Sequence, residues 1–173
     1  MKFLQSVRIS VLAAAIAAMA GVPAFAAGSV VKVTLWDKGA GSMGEFGPGT
    51  RMGMNMEPAA KLKADLAKAT VGINAAPYVV PAGEVTLEVT NSSKDMVHEM
   101  IIAPVTGPGE KLPYDEDLQK VDEDAAGHLG EVAELDPGSS GALRLTLKPG
   151  TYILYCNIPG HYALGMWHLL TVK

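Results

Sequence analysis

Apolar and polar residues alternate with a period of two through much of the chain. Val85, Leu87 and Val89 alternate with Glu84, Thr86, Glu88 and Thr90, the pattern of a strand with one face on a core and one in water. Pro81-Ala82-Gly83 turns the chain into this segment and Asn91-Ser92-Ser93 turns it out. In the next segment His98, Met100 and Ile102 share one face, with Val97, Glu99 and Ile101 on the other. His98 therefore sides with apolar residues. Leu143, Leu145 and Leu147 alternate with Arg144, Thr146 and Lys148. Pro149-Gly150 then leads into residues 151–156, where Tyr152, Leu154 and Cys156 share a face. A last strand is expected over about residues 166–172 and a first over residues 30–36. Many short strands punctuated by Pro and Gly predict an all-β protein built as an antiparallel sandwich.

Three stretches break the alternation. Residues 39–53 hold six Gly in fifteen positions and read as a loop. Residues 58–69 are good helix formers with Pro58 in the first turn, and Leu62, Leu66 and Ala69 on one face. Residues 107–130 are polar and acidic, a long excursion with a short helix. No internal repeat is evident.

The N-terminus reads as a secretory signal. Lys2 and Arg8 give a positive start, residues 9–20 are apolar and rich in Ala, and Ala24-Phe25-Ala26 fits a cleavage site. The apolar run is too short for a membrane span, which takes about 20 residues. No Cys near the cleavage site invites a lipid, and no Arg-Arg pair marks a twin-arginine signal. The expected organisation is a signal peptide over residues 1–26, a strand, Gly/Met-rich loop and helix over residues 27–69, and a binding domain over residues 70–173. The mature chain is expected to be periplasmic, monomeric and without a membrane span. The chain has 14 basic and 18 acidic residues. Losing the signal deepens the negative charge, which argues against nucleic acid as a partner. A single Cys excludes an internal disulfide, and an unpaired Cys in an exported protein invites a functional explanation.

That Cys lies in Tyr155-Cys156-Asn157-Ile158-Pro159-Gly160-His161-Tyr162-Ala163-Leu164-Gly165-Met166. A thiolate, an imidazole and a thioether suit soft or borderline transition metals, and His and Cys with a weak axial Met are diagnostic of a blue-copper electron-transfer site. A second His is needed, and His98 is the best candidate of the four in the chain. The candidate metal ligands are thus His98, Cys156, His161 and Met166, and the candidate cofactor is one copper. A structural zinc site would show more Cys or a tighter Cys/His pattern.

At these residues the chain resembles the cupredoxins, the small blue-copper proteins that include plastocyanin, azurin, rusticyanin and auracyanin. The Cys-x4-His-x4-Met spacing is similar to the rusticyanin and auracyanin kind. The resemblance covers roughly residues 70–173 and implies a Greek-key, cupredoxin-like sandwich with a short helix or two in its connections. In several of these proteins an Asn follows the first His and ties the ligand loops together; Glu99 stands there here.

His128 is expected to be a loop residue or to lie outside the ligand set, and His168 is expected not to ligate. Met52, Met54 and Met56 stand at every second position and offer thioethers that suit Cu(I), although Met also fills irregular gaps in cores. The acidic residues 115–124 form a solvated loop or steer a basic partner. Copper reductases and oxidases of this fold place a His beside the blue-copper Cys; here Cys156 is flanked by Tyr155 and Asn157, and no His-x-His pair occurs. An enzyme is therefore not expected, and a Cys/His hydrolase lacks a marked base and cleft. Two readings remain. One is an electron carrier exchanging electrons with a cytochrome or copper enzyme through the exposed edge of His161. The other is a copper-tolerance or copper-handling protein.

Overall fold

The alternating segments do become strands, and their apolar faces close on one another. A computed structural model describes residues 28–41, 69–108 and 110–173. The strands are β1 (Ser29–Asp37), β2 (Val71–Ala76), β3 (Val79–Val80), β4 (Gly83–Asn91), β5 (His98–Val105), β6 (Tyr114–Asp115) and β7 (Lys120–Val121), then, after a helix, β8 (Gly130–Leu135), β9 (Ser140–Leu147), β10 (Gly150–Tyr155) and β11 (Trp167–Val172). The helix, α1 (Glu123–Ala126), is a single turn. Asp122 caps its start by accepting the amide of Ala125, and Gly127 ends it in the left-handed region. The expected signal peptide, the Met-rich segment and nearly all of the expected helix over residues 58–69 lie outside the described residues.

Among the described residues the strands form a four-stranded sheet in the order β2-β1-β4-β9 and a five-stranded sheet in the order β3-β11-β10-β5-β8, with a small β6-β7 ribbon. Val31, Val33 and Leu35 of β1 and Val85, Leu87 and Val89 of β4 face Met100, Ile102, Leu154 and Leu170 of the other sheet in one buried core. This is the sandwich that the alternation predicts. Its sheets are mixed rather than wholly antiparallel. β1 pairs with β4 in parallel, Val31 opposite Leu87, and β3 pairs with β11 in parallel, Val79 opposite Thr171. Alternation sets which face of a strand is buried and is silent on strand direction.

The five-stranded sheet is buried on both faces. Ile101, Ala103 and Val105 of β5 and Ile153 and Tyr155 of β10 form a second cluster with Leu112, Val121 and Tyr162. The excursion over residues 107–130 supplies Leu112 and Val121, so this stretch is not merely a solvated loop. The run Met100-Ile101-Ile102-Ala103, apolar at every position, is what a strand covered on both faces requires.

The two layers make separable contributions. Ile101→Ala is expected to cost about 2–5 kcal/mol, as a fully buried aliphatic truncation does. Leu143→Ala, on half-buried β9, is expected to cost about 1 kcal/mol. Urea unfolding of metal-free protein with an unchanged m-value measures both; equal small losses would mean that the second layer does not contribute.

Candidate metal centre

Cys156 follows β10 directly and continues its inward face with Tyr152 and Leu154. The next ten residues fold back on themselves. The amide of His161 donates to Ile158 O at 2.9 Å and that of Leu164 to Gly160 O at 3.0 Å. The amide of Met166 then donates to His161 O, and that of Cys156 to Met166 O, both at 3.0 Å. Gly160 and Gly165 take φ of 83° and 94°, conformations that side chains with a Cβ adopt only at a cost. The loop thereby brings Cys156, His161 and Met166, all buried, to one place.

His98 comes from the other side, at the first position of β5, next to a register shift between His98 and Met100. The loop before it is built on two side chains. Asn91 donates from Nδ2 to Met96 O at 2.9 Å and to Leu135 O at 2.8 Å, and its Oδ1 accepts the amide of Ser93 at 2.9 Å. The Ser93 hydroxyl oxygen accepts the amides of Asp95 and Met96 at 3.2 and 2.9 Å. These bonds pin the chain at Met96, two residues before the imidazole.

The ring nitrogens and the sulfur converge. His98 Nδ1 lies 3.2 Å from His161 Nδ1, Cys156 Sγ lies 3.4 Å from His161 Nδ1, and it lies 4.0 Å from His98 Nδ1. Among the described residues this is the group of His, Cys, Asp and Glu able to hold a metal, its donor atoms all within 4.8 Å. A trigonal metal at about 2.0–2.1 Å from imidazole and about 2.3 Å from thiolate, the distances found at zinc, would separate its donors by about 3.5–3.8 Å. The observed separations straddle that value. The donor set is the soft, thiolate-containing one that copper favours.

Behind the donors, His98 Nε2 lies 2.9 Å from Asp37 Oδ2 at the end of β1. Burial works to raise the Asp37 carboxyl, but hydrogen bonds from Ser93, His98 and the Gly39 amide hold it below the usual carboxylate range. Burial pushes the Cys156 thiol up to about 12, against the pull of the Glu99 and Ile158 amides. Burial lowers His161 to about 4, with His98 adding to the effect. Without a metal the sulfur is thus a thiol and His161 is neutral near pH 7, so metal uptake there has to displace the thiol proton. Burial also raises Glu99 to about 7; its Oε1 is buried without a hydrogen-bond partner.

The sequence profile of copper-binding proteins of the plastocyanin/azurin family matches residues 60–173, well over half of the chain. The chain belongs to that family. It is a cupredoxin, and cupredoxins bind one copper and are generally electron carriers. Among solved structures, reduced auracyanin from Roseiflexus castenholzii is similar at 21% identity, over 86% of this chain and 98% of that one, with a TM-score of 0.48. Rusticyanin from Thiobacillus ferrooxidans is similar at 18% identity, over 85% of this chain and 79% of that one, with a TM-score of 0.49. Auracyanin A from Chloroflexus aurantiacus is similar at 23% identity, over 55% of this chain and 83% of that one, with a TM-score of 0.42. No curated protein sequence matches the chain significantly.

In this cupredoxin the donor atoms of His98, Cys156 and His161 converge, and Met166 joins them through backbone bonds to Cys156 and His161. His128 is exposed and its Nδ1 lies 3.3 Å from Glu123 O; His168 is half-buried, its Nδ1 2.9 Å from Leu169 O. Neither joins the cluster. One expectation fails: His161 does not present its ring edge, being 2% exposed. Asp37, Ser93 and Asn157 were not foreseen. Asn157 clasps the metal loop to β7 and α1. Its Oδ1 accepts the Val121 amide at 2.6 Å, and its Nδ2 donates to Val121 O at 3.0 Å and to Glu123 Oε1 at 2.8 Å. The Gly160 amide adds a bond to Gln119 O at 2.9 Å. These bonds join the metal loop to the excursion and not to the loop that carries His98.

Glu99 and His161 oppose each other in the metal-free protein. A carboxyl raised from 4.5 to about 7 binds its proton more tightly folded than unfolded, so its contribution falls as pH rises across that window. A His lowered from 6.5 to about 4 does the reverse, and its contribution is lost as pH falls through that window. Glu99→Gln is expected to leave the His161 arm alone. Its stability should climb between pH 4.5 and 7, relative to wild type, by on the order of 2 kcal/mol. Urea unfolding at a series of pH values checks this; parallel profiles would place Glu99 in water.

Proposed function

We propose that this chain is an exported, periplasmic type 1 copper protein that carries single electrons between redox proteins. His98, Cys156 and His161 are its strong ligands and Met166 its weak one. The observation that carries this reading is the meeting of His98 Nδ1, Cys156 Sγ and His161 Nδ1 within 4.8 Å, all buried, beside the Met166 backbone. Bound copper supplies a one-electron couple. Cys156 gives up its proton and offers a thiolate, to which the amides of Glu99 and Ile158 donate. Burial keeps His161 neutral and its lone pair free. Met166 supplies a soft thioether that favours the reduced metal. The loop and the two sheets hold these groups fixed, which favours fast electron exchange. Tyr155 and Asn157 on either side of Cys156, in place of a His, support a carrier over an enzyme with a second copper. A cytochrome or copper enzyme is the expected partner, and the mature chain is expected to act as a monomer.

The burial of His161 favours a second reading, a copper-handling or copper-tolerance protein, because the ring edge expected to meet a redox partner is largely covered. Loss of the gene would then give copper-sensitive cells with normal respiration, whereas a carrier's loss would slow electron flow.

Titration of the mature protein with Cu(II) tests the site. One equivalent is expected to give an intense visible thiolate-to-copper band and a narrow copper hyperfine splitting by EPR. Cys156→Ser is expected to keep the fold and abolish the band. A retained band in that variant, or a colourless wild-type complex with ordinary tetragonal signals, would remove Cys156 from the ligand set.

A further inference from the structure

We infer that Asp37 is a positioning residue for His98: its carboxylate fixes which imidazole nitrogen faces the metal and biases bound copper toward its oxidised state. The inference rests on the copper reading above. Asp37 ends β1 in the four-stranded sheet, whereas His98 begins β5 in the other. Asp37 Oδ2 lies 2.9 Å from His98 Nε2, with side-chain exposures of 2% and 0%. The other oxygen, Oδ1, accepts the Gly39 amide at 2.6 Å, and the Ser93 hydroxyl donates to the same carboxylate. Held from three sides, the carboxylate has no room to turn away.

An ionised carboxylate only accepts hydrogen bonds. His98 Nε2 must therefore carry the ring proton, which leaves the lone pair on Nδ1. Nδ1 is the atom that stands 3.2 Å from His161 Nδ1 and 4.0 Å from Cys156 Sγ. The same contact raises the basicity of the imidazole, as carboxylates behind metal-bound His do. It also places a full negative charge, shielded from water, one ring away from the metal. That charge attracts Cu(II) more than Cu(I), so it opposes the preference that Met166 gives the reduced metal. A purely structural role, closing the turn at Gly39, would change stability and leave this balance alone.

The test compares the copper-loaded mature protein with its Asp37→Asn variant at one pH. Asn keeps an acceptor for Nε2–H and drops the charge. The visible band is expected to survive. At any applied potential the ratio of Cu(I) to Cu(II) is expected to rise about tenfold, a shift of about 59 mV for a one-electron couple. Cu(II) affinity is expected to fall by about 10–100-fold. A band like wild type with a ratio changed less than about twofold would overturn the inference alone. A wild type without the band would overturn the copper reading and this inference with it. Should the variant not fold, the reduced wild type decides the matter by long-range proton–nitrogen correlation. A slowly exchanging proton on His98 Nε2 supports the inference, and a proton on Nδ1 instead overturns it.

Discussion

Three lone-pair donors facing one another inside a protein are a costly arrangement. The His98 and His161 Nδ1 atoms stand 3.2 Å apart with the Cys156 sulfur 3.4 and 4.0 Å away, so these buried polar groups have chiefly one another as partners. Such a cluster persists only if its members are denied other partners, and each is held from behind. His161 and Met166 are fixed by the closed hydrogen bonding of their own loop. Cys156 is fixed by the strand it extends. His98 is fixed by Asp37, which reaches across from the opposite sheet. The rest of the fold can be read as the framework that keeps these supports in register.

The framework has two parts with different physics. The inner core, from β1 and β4 to Leu154 and Leu170, sets the distance between the sheets, and with it the distance from Asp37 to His98. The outer layer, with Tyr155 and Tyr162 under the excursion that carries Leu112 and Val121, presses the metal loop down from the other side. Asn157 joins that layer to the loop by hydrogen bonds rather than by packing. Glu99 points toward Lys120, Glu123 and Glu131 while its amide serves the sulfur, so one residue contributes a backbone donor to the site and a buried acid to the layer behind it.

What could be read from the sequence was what depends on nearby residues. Cys156, His161 and Met166 were visible because one short loop fixes their geometry, and because Gly160 and Gly165 stand where that loop must turn. His98 was visible through the face it shares with Met100 and Ile102. Asp37 was not. It is one acid among 18, 61 positions from its partner, and the contact exists because β1 lies parallel to β4, a direction that periodicity does not encode. Asn157 was noticed for not being His, while its own bonding needed the excursion to be in place. The burial of His161 also belongs to tertiary structure, since a Pro-Gly-His turn looks the same covered or exposed.

The strand order also makes the metal loop depend on the strand that follows it. β11 lies between β3 and β10, in the interior of the five-stranded sheet, yet it is made after every other described strand. A nascent chain that lacks it has β3 without a neighbour and a metal loop anchored at one end only. The loop from Cys156 to Met166 is held at both ends only when β11 is paired with β10, so the ligand cluster depends on a strand that follows it in the chain.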